Sequence, residues 1–465
     1  MKTKAVPSSW LERDGCRLDC GPYMSGALEA KVLLDVLRAT KVPLQDVCLN
    51  GRGGLINAGR IKRQWVTDDR YGVRFLSSTD ILKADLSNLQ IISNQAARAN
   101  QKLLIRSGWT LITRAGTIGR MAYSRPDMDG LACSEDVLRV IPDPEKIPPG
   151  YLYAYLSSKF GVPLVVGGTY GAIIQHIEPH HLADLPVARL SHKIENEVNR
   201  LVLEASALRV NAAAALHEVI EGVERALACP QHRAGAGAPL TQSIMSSRLR
   251  DEMRFEGYYY NPQALAVDEW SLAHPNGYWS LGDVADVFDV PPFKHIYVEP
   301  EHGLPFFTSG DLFLLDRHAD KHLSTTQTRD LHKYVIEQGW VLLARSGQLG
   351  GILGRPQFAD SALHHTCTSD HVIRIVSKSV PAGYLYAYLA TPTVGYVLLT
   401  RTMTGASIPA LWPTFLKRLL VVKSSPKVMG DVHDKVTTAF EDRVKATACE
   451  DAARRLLEDS IEAAI

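Results

Sequence analysis

The chain has 465 residues, 46% of them hydrophobic and 22% charged, which suits two or three domains with cores of their own and excludes a disordered or fibrous protein. The formal net charge is +1, so binding to a polyanion cannot rest on bulk charge and needs local basic clusters. The first residues, MKTKAVPSSW, hold no apolar core of signal-peptide length, no apolar run reaches the roughly 18 residues that span a bilayer, and the seven scattered cysteines do not pair into a framework; a cytoplasmic protein with reduced thiols and no membrane contact is expected.

In chain order, most elements of the first half return in the second, after about 230 to 240 residues, a period too long for a solenoid and right for a duplicated domain. SSWLERDGCRLD from Ser8 is echoed by SSRLRDEMRFE from Ser246, and VPLQDV from Val42 by WSLGDV from Trp279. RFLSSTDIL from Arg74 matches PFFTSGDLF from Pro305, and GWTLITRAGTIG from Gly108 matches GWVLLARSGQLG from Gly339. VLRV at Val137 answers VIRI at Val372, and GYLYAYL from Gly150 returns unchanged from Gly383. TYGAIIQHIEP from Thr169 answers MTGASIPALWP from Met403. Short β-branched and aromatic runs such as WTLITRAG and WVLLARSG, bounded by Gly, Asp and Pro, predict strands, while YLYAYLSS and its twin predict a helix.

Each β-rich module is followed by a long helical segment. In the first, Ile194, Val198, Leu201, Ala205, Leu208, Ala212, Ala215 and Val219 alternate steps of four and three, the seam of a coiled coil. In the second, Val428, Val432, Val436, Phe440, Val444, Ala448, Ala452 and Leu456 form a four-residue stripe. PQHRAGAGAPL, from Pro230, has the composition of a linker. The predicted organisation is an α/β (α+β) protein: a first module over 1–190, a helix over 191–229, a linker and lead-in over 230–270, a second module over 271–425 and a helix over 426–465. Two similar modules carried on helices suit two readings at a fixed separation, as on double-stranded DNA, or a duplicated protein-binding scaffold.

The segments GWTLITRAGTIGRMAY, WSLGDVADVF, FLSSTDIL with FFTSGDLF, and the YLYAYL helix resemble the target-recognition domains of the specificity (S) subunits of type I restriction-modification systems, over nearly the whole chain. The resemblance implies a non-catalytic subunit whose two recognition domains each read one half of a split, asymmetric DNA site. It implies that the two helices form an antiparallel coiled coil that sets the gap. Partners implied are adenine-N6 methyltransferase subunits docked on the helices, through residues such as Ile194, Val198, Leu201, Leu208, Val432, Val436, Phe440 and Val444, and restriction/translocase subunits. S-adenosylmethionine, ATP and Mg are then expected in the partners and no cofactor in this chain. A related adaptor or scaffold of a different anti-phage system is the alternative. In the second module, ARSGQLGGIL departs from the TRxGTIG pattern of the first.

Sequence-specific DNA binding needs Arg or Lys on phosphates and polar side chains on base edges, carried on loops that a rigid core presents to a groove. In TRAGTIGR, Arg114, Thr117 and Arg120 flank a glycine turn, and Arg345, Ser346 and Gln348 hold the matching places. GRIKRQW puts Arg60, Lys62 and Arg63 beside a tryptophan, with Lys294 as a sparser counterpart; a solvated charged face is the alternative. Ser77, Ser78, Thr308 and Ser309 precede Asp80 and Asp311, where turn capping is the competing explanation. Tyr170, Gln175, Thr404 and Ser407 are groove-reading candidates in loops that simple turn formation also explains.

Four enzymatic or metal readings fail on pattern. DVPPF from Asp289 is close to the Asp-Pro-Pro-Phe motif of adenine methyltransferases, but Val290 interrupts it and no glycine-rich cofactor loop accompanies it. No GxxxxGK[ST] loop occurs. His364, His365, Cys367, Asp370 and His371 are metal-capable types with no recognised zinc spacing, so no metal is expected; His176, His180 and His181 lack a nucleophile nearby in sequence.

Overall fold

The computed structural model describes residues 3–13, 20–167, 176–231, 243–405 and 407–465. Two compact units divide it, Met1–Val210 with Lys445–Ile465 and Asn211–Val444. Four helices position the candidate loops: α1 (Pro149–Leu156), α2 (His192–Ala226), α3 (Ala382–Ala390) and α4 (Pro426–Glu462). Both long helices supply residues to both units. Among the described residues no helix is long and apolar enough to cross a membrane.

The first unit contains β1 (Lys41–Pro43), β2 (Leu55–Ile56), β3 (Trp65–Val66), β4 (Gly72–Leu76), β5 (Gln90–Ser93), β6 (Thr110–Thr113), β7 (Met121–Tyr123), β8 (Ala132–Cys133), β9 (Val137–Val140) and β10 (Pro186–Ala188). They form three sheets of order β1-β10, β2-β9-β6-β7 and β3-β5-β4-β8. The second unit contains β11 (Tyr278–Ser280), β12 (Ala285–Phe288), β13 (Tyr297–Val298), β14 (Gly303–Phe307), β15 (His322–Ser324), β16 (Val341–Ala344), β17 (Pro356–Phe358), β18 (Cys367–Thr368), β19 (Val372–Ser377) and β20 (Leu420–Val422). Its sheets are β11-β20, β12-β19-β16-β17 and β13-β15-β14-β18, the same order strand for strand. Even the single parallel pairing recurs, β4 with β8 and β14 with β18, the others being antiparallel. The sequence repeat is therefore a repeat of fold.

The central strands are buried on both faces, and their period of two sends alternate residues into different cores. In β6, Leu111 joins Leu76, Ile81 and Met128, while Ile112 joins the cluster under α1. In β16, Leu342 and Ala344 take the first role and Val341 and Leu343 the second. Each buried Leu, Ile or Val side chain among these contributes roughly 1.5–3 kcal/mol on leaving water.

The identical GYLYAYL segments are explained by contacts made twice. Tyr151 and Tyr155 of α1 donate their hydroxyls to the carbonyls of Ala188 and Pro186, and Tyr384 and Tyr388 of α3 donate theirs to Val422 (2.7 Å) and Leu420 (2.9 Å). A buried tyrosine needs such a partner, and the i, i+4 spacing places two on one helix face. Glycine opens each helix because a long helix crosses there. A Cβ on Gly150 would lie 2.8 Å from Asn199 Oδ1, and one on Gly383 2.6 Å from His433 Cα. The same amides donate to Asn199 Oδ1 (2.8 Å) and His433 Nδ1 (3.0 Å).

The chain between Ser246 and Ala273, expected as linker and lead-in, is folded in the second unit. A helix over Pro262–Ala273 packs on one over Gly395–Arg401, as Ala27–Val36 packs on Gly161–Gly167 in the first unit.

The helical stripes differ from expectation in a specific way. On α2 a buried heptad runs through Val198, Val202, Ala205, Arg209, Ala212, Leu216, Val219 and Val223, sharing only half the expected seam, with Glu195 and Ser206 also buried beside it. Ile194, Leu201 and Leu208 are half-buried at its edge. On α4 burial runs through Met429, Val436, Ala439, Phe440, Arg443, Ala446, Glu450, Ala453, Leu457 and Ile461, leaving Val432 and Val444 half-buried and Ala448 exposed. A strict four-residue stripe drifts about 40° per step around a helix of 3.6 residues per turn, so it cannot stay on one face. Charged residues at three core positions hid the true period. Val198, Val436 and Phe440 sit in the unit cores, so they fix the helices to their own modules and are not available to a docked partner.

Candidate nucleic-acid interface

The turn after β6 and the turn after β16 carry the candidate arginines in equivalent settings. The Arg114 amide donates to Asp136 O and its carbonyl accepts from Ile177 N–H; the Arg345 amide donates to His371 O and its carbonyl accepts from Leu411 N–H. Neither side chain is loose. Arg114 donates to Ile177 O (3.0 Å) and pairs with Glu178, its side chain 14% exposed. Arg345 pairs with Asp289 at 3.4 Å and stacks over Trp412 at 4.6 Å, its side chain 19% exposed. A phosphate reaching either guanidinium must compete with a carboxylate.

Thr117 and Arg120 are exposed on the first turn, whose shape is set by Gly116 and Gly119 at φ 75° and 79°. A Cβ on Gly119 would lie 2.6 Å from Val166 Cγ2, so that glycine is required by packing as well as by backbone geometry. In the second module Gln348 is exposed, Ser346 lies 3.3 Å from His371 Nδ1, and the Gly347 amide donates to Pro409 O. Thr404 accepts from Trp412 Nε1 at 2.6 Å, and Ser407 is exposed. Arg345, Ser346, Gln348, Thr404 and Ser407 are thus carried by two loops that hydrogen-bond to each other. Tyr170 and Gln175, in the matching loop of the first module, lie outside the described residues.

The basic stretch after β2 approaches the first turn through the segment between β8 and β9. Arg63 bonds Glu135 at 3.0 Å and lies over the Phe75 ring at 5.2 Å, while the next residue, Asp136, receives the Arg114 amide. Burial pushes the Glu135 carboxyl up, but hydrogen bonds from its own amide and from Arg63 outweigh this and hold it below the usual value. Arg60 and Lys62 are exposed and make no ion pair among the described residues; the same is true of Lys294. These three cations are open to solvent.

Ser77 and Thr308 are occupied in turns. The Ser77 amide (2.9 Å) and hydroxyl (2.5 Å) donate to Asp80 Oδ2, and the Thr308 amide and hydroxyl donate to Asp311 Oδ2, both at 2.7 Å. Ser78 and Ser309, beside them, are half-buried and not tied in this way.

Sequence reasoning missed two arginines. Arg139 in β9 and Arg374 in β19 are fully buried. Arg139 donates to the carbonyls of Ser134, Val137, Cys133 and Leu103, and Arg374 to Val372 O and to Thr368 O and Oγ1. Burial lowers both, Arg374 to about 10. They pin from beneath the segments that meet Arg63, Arg114 and Arg345. Their signal was the shared third letter of VLRV and VIRI, a charge where both neighbours are apolar.

The remaining histidines have local roles or a different grouping. His181 Nδ1 accepts the Glu178 amide at 3.1 Å in a capping box. Cys367 is buried in β18, and His371 stands by Asp370, so neither joins His364 and His365, which instead approach Glu337.

No family model matches the sequence, and no curated protein matches it. Three solved structures are similar in fold. The S subunit of a type I restriction-modification system from M. genitalium is 12% identical, with a TM-score of 0.36 over 90% of this chain and 96% of that one. The HsdS subunit from Thermoanaerobacter tengcongensis is 17% identical, with a TM-score of 0.25 over 91% and 96%. A structure described as the basis of complex assembly and conformational transition of the type I R-M system is 16% identical, with a TM-score of 0.27 over 91% and 97%. Values this low leave the functional reading to the chain's own residues.

Proposed function

We propose that this chain is the DNA-reading specificity subunit of a type I restriction-modification complex. Each module reads one half of a bipartite, asymmetric site, and the long helices set the gap. Catalysis belongs to adenine-N6 methyltransferase and restriction/translocase partners, which hold S-adenosylmethionine, ATP and Mg.

The observation that carries this reading is a duplicated frame with diverged loops. The Tyr pairs, the helix-opening glycines, the buried arginines and all three sheet orders are common to both units. What surrounds the turn arginines is not: Glu178 and a threonine-bearing turn in one, Asp289, Trp412 and Gln348 in the other. Reading two different half-sites requires this combination, because the frame positions a loop while the loop's side chains meet the bases. A plain scaffold has no need of it.

The test is purification of the tagged chain from its native host, with methylome sequencing in the presence and absence of its gene. Co-purification of a methyltransferase and loss of one split, gapped adenine-methylation motif on deletion is the expected result. An unchanged methylome with a different co-purifying effector assigns the modules to an adaptor of another defence system.

A further inference from the structure

We propose that Glu337, His364 and His365 form a binding site for a divalent transition metal of the zinc class, present in the second module and not in the first. Their ligand atoms lie within 4.8 Å of one another. Ligands on one tetrahedral zinc are about 3.3 Å apart, so closure needs a movement of about 1.5 Å by side chains that reach solvent, those of Glu337 and His364 being each 43% exposed. Two imidazoles and a carboxylate suit zinc, nickel or cobalt and do not suit calcium or magnesium, which prefer all-oxygen sites. The fourth position is left to water.

The repeat supplies an internal control. The His365 amide donates to Ile336 O at 3.0 Å as the Gly130 amide donates to Ile105 O at 2.9 Å, so the two turns are equivalent. At the places of Glu337, His364 and His365 the first module has Arg106, Asp129 and Gly130. Arg106 and Asp129 form an ordinary ion pair at 3.3 Å, where Glu337 and His364 stand 2.9 Å apart. The third position has φ 78° at Gly130 and φ 56° at His365, a left-handed backbone that glycine adopts freely and histidine less readily. The fold thus favours glycine where the second module has a histidine whose ring centre lies 4.1 Å from that of His364. A charge-swapped ion pair accounts for Glu337 and His364, and a third ligand accounts for His365. The metal would tie the segment before Trp340 to the turn after Leu363, the tie that Arg106 and Asp129 make in the first module.

The experiment is titration of the metal-stripped full chain with zinc chloride by calorimetry, with cobalt(II) absorption as an independent probe of coordination. His365→Gly copies the first module, removes one ligand and relieves the backbone, so it keeps the fold. The wild type should take up one equivalent at least tenfold more tightly than its other histidines, with a rise in Tm. His365→Gly should lose that equivalent, and Glu337→Arg with His364→Asp, which rebuilds the first module's ion pair, should lose it too. Absence of a distinct tight equivalent in the wild type, or its survival in both variants, reduces the cluster to a charge-swapped ion pair and overturns the proposal.

Discussion

Replacing Arg209 by methionine removes one partner of an ion pair in which both side chains are 3% exposed, and leaves Glu450 charged inside the first unit. What remains around that carboxylate is the Tyr153 hydroxyl at 3.3 Å and Arg454 at 3.7 Å, one neutral donor and one longer ionic contact. Breaking a buried pair from one side costs about 3–5 kcal/mol, because the remaining charge has lost water and its nearest counterion. With a urea slope of ~3 kcal/mol per molar for a unit of this size, the midpoint should fall by about 1–1.7 M. Replacing both residues, Arg209→Met with Glu450→Leu, should restore most of the loss or exceed wild type, since two apolar side chains avoid the desolvation that the pair only partly repays. The assay is equilibrium unfolding in urea read by hydrogen exchange on peptides from residues 192–210 of α2, the part of that helix that belongs to the first unit. A shift below about 0.3 M for the single variant, or a double variant as weak as the sum of the singles, refutes the claim that the pair is a desolvated element of the seam.

Arg114→Ala should weaken recognition of one half-site and Arg345→Ala the other, measured by binding to DNA in which one half is scrambled; equal losses on both halves from either change contradict two independent readers. Arg139→Met should destabilise the first module by about 3–5 kcal/mol by stranding several buried carbonyls, read as a lowered thermal midpoint, while Arg60→Ala should leave that midpoint within about 0.5 kcal/mol of wild type and reduce the salt dependence of DNA binding. Burial raises the Asp80 carboxyl, but hydrogen bonds from Lys83 and Ser77 outweigh it and hold the group below its ordinary value of 3.8. Its contribution is therefore complete above the unfolded value and is lost as pH falls through the folded one. Asp80→Asn should remove that part of the acid sensitivity, seen as a flatter stability-against-pH curve below about pH 4. Deleting seven residues from each long helix should shorten the tolerated gap by about 3 base pairs, since seven residues span about 10.5 Å and preserve the heptad, whereas a four-residue deletion breaks the seam. Methylation motifs with altered gaps and unaltered half-sites are the expected readout.

The frame was legible because repetition reveals what the fold demands. GYLYAYL is identical in both halves since every position is constrained at once: tyrosine hydroxyls on strand carbonyls, glycine under a crossing helix, the rest buried. The helical seam was half legible. Val198, Ala205, Ala212 and Val219 followed from periodicity, but Arg209, Arg443 and Glu450 occupy core positions, and a hydrophobicity pattern reads a charge as surface. Only the partner, Glu450 for Arg209, reveals why a charge is tolerated there, and that partner is remote in sequence.

The candidate interface was less legible for a related reason. Arg114 and Arg345 were identifiable by their matched places, yet their partners Glu178 and Asp289 come from opposite sides of the turn in sequence, one downstream and one upstream. A motif fixes where an arginine is held and says nothing about what it must release to bind. Holding each guanidinium against a carboxylate has a consequence for specificity. A non-specific phosphate offers no more than the carboxylate it displaces, so only a site that also satisfies the neighbouring loop, such as Thr117 in one module or Gln348 in the other, favours the exchange. On the proposed function, the open cations Arg60, Lys62 and Lys294 would supply general attraction to DNA, and the paired arginines would discriminate between sequences.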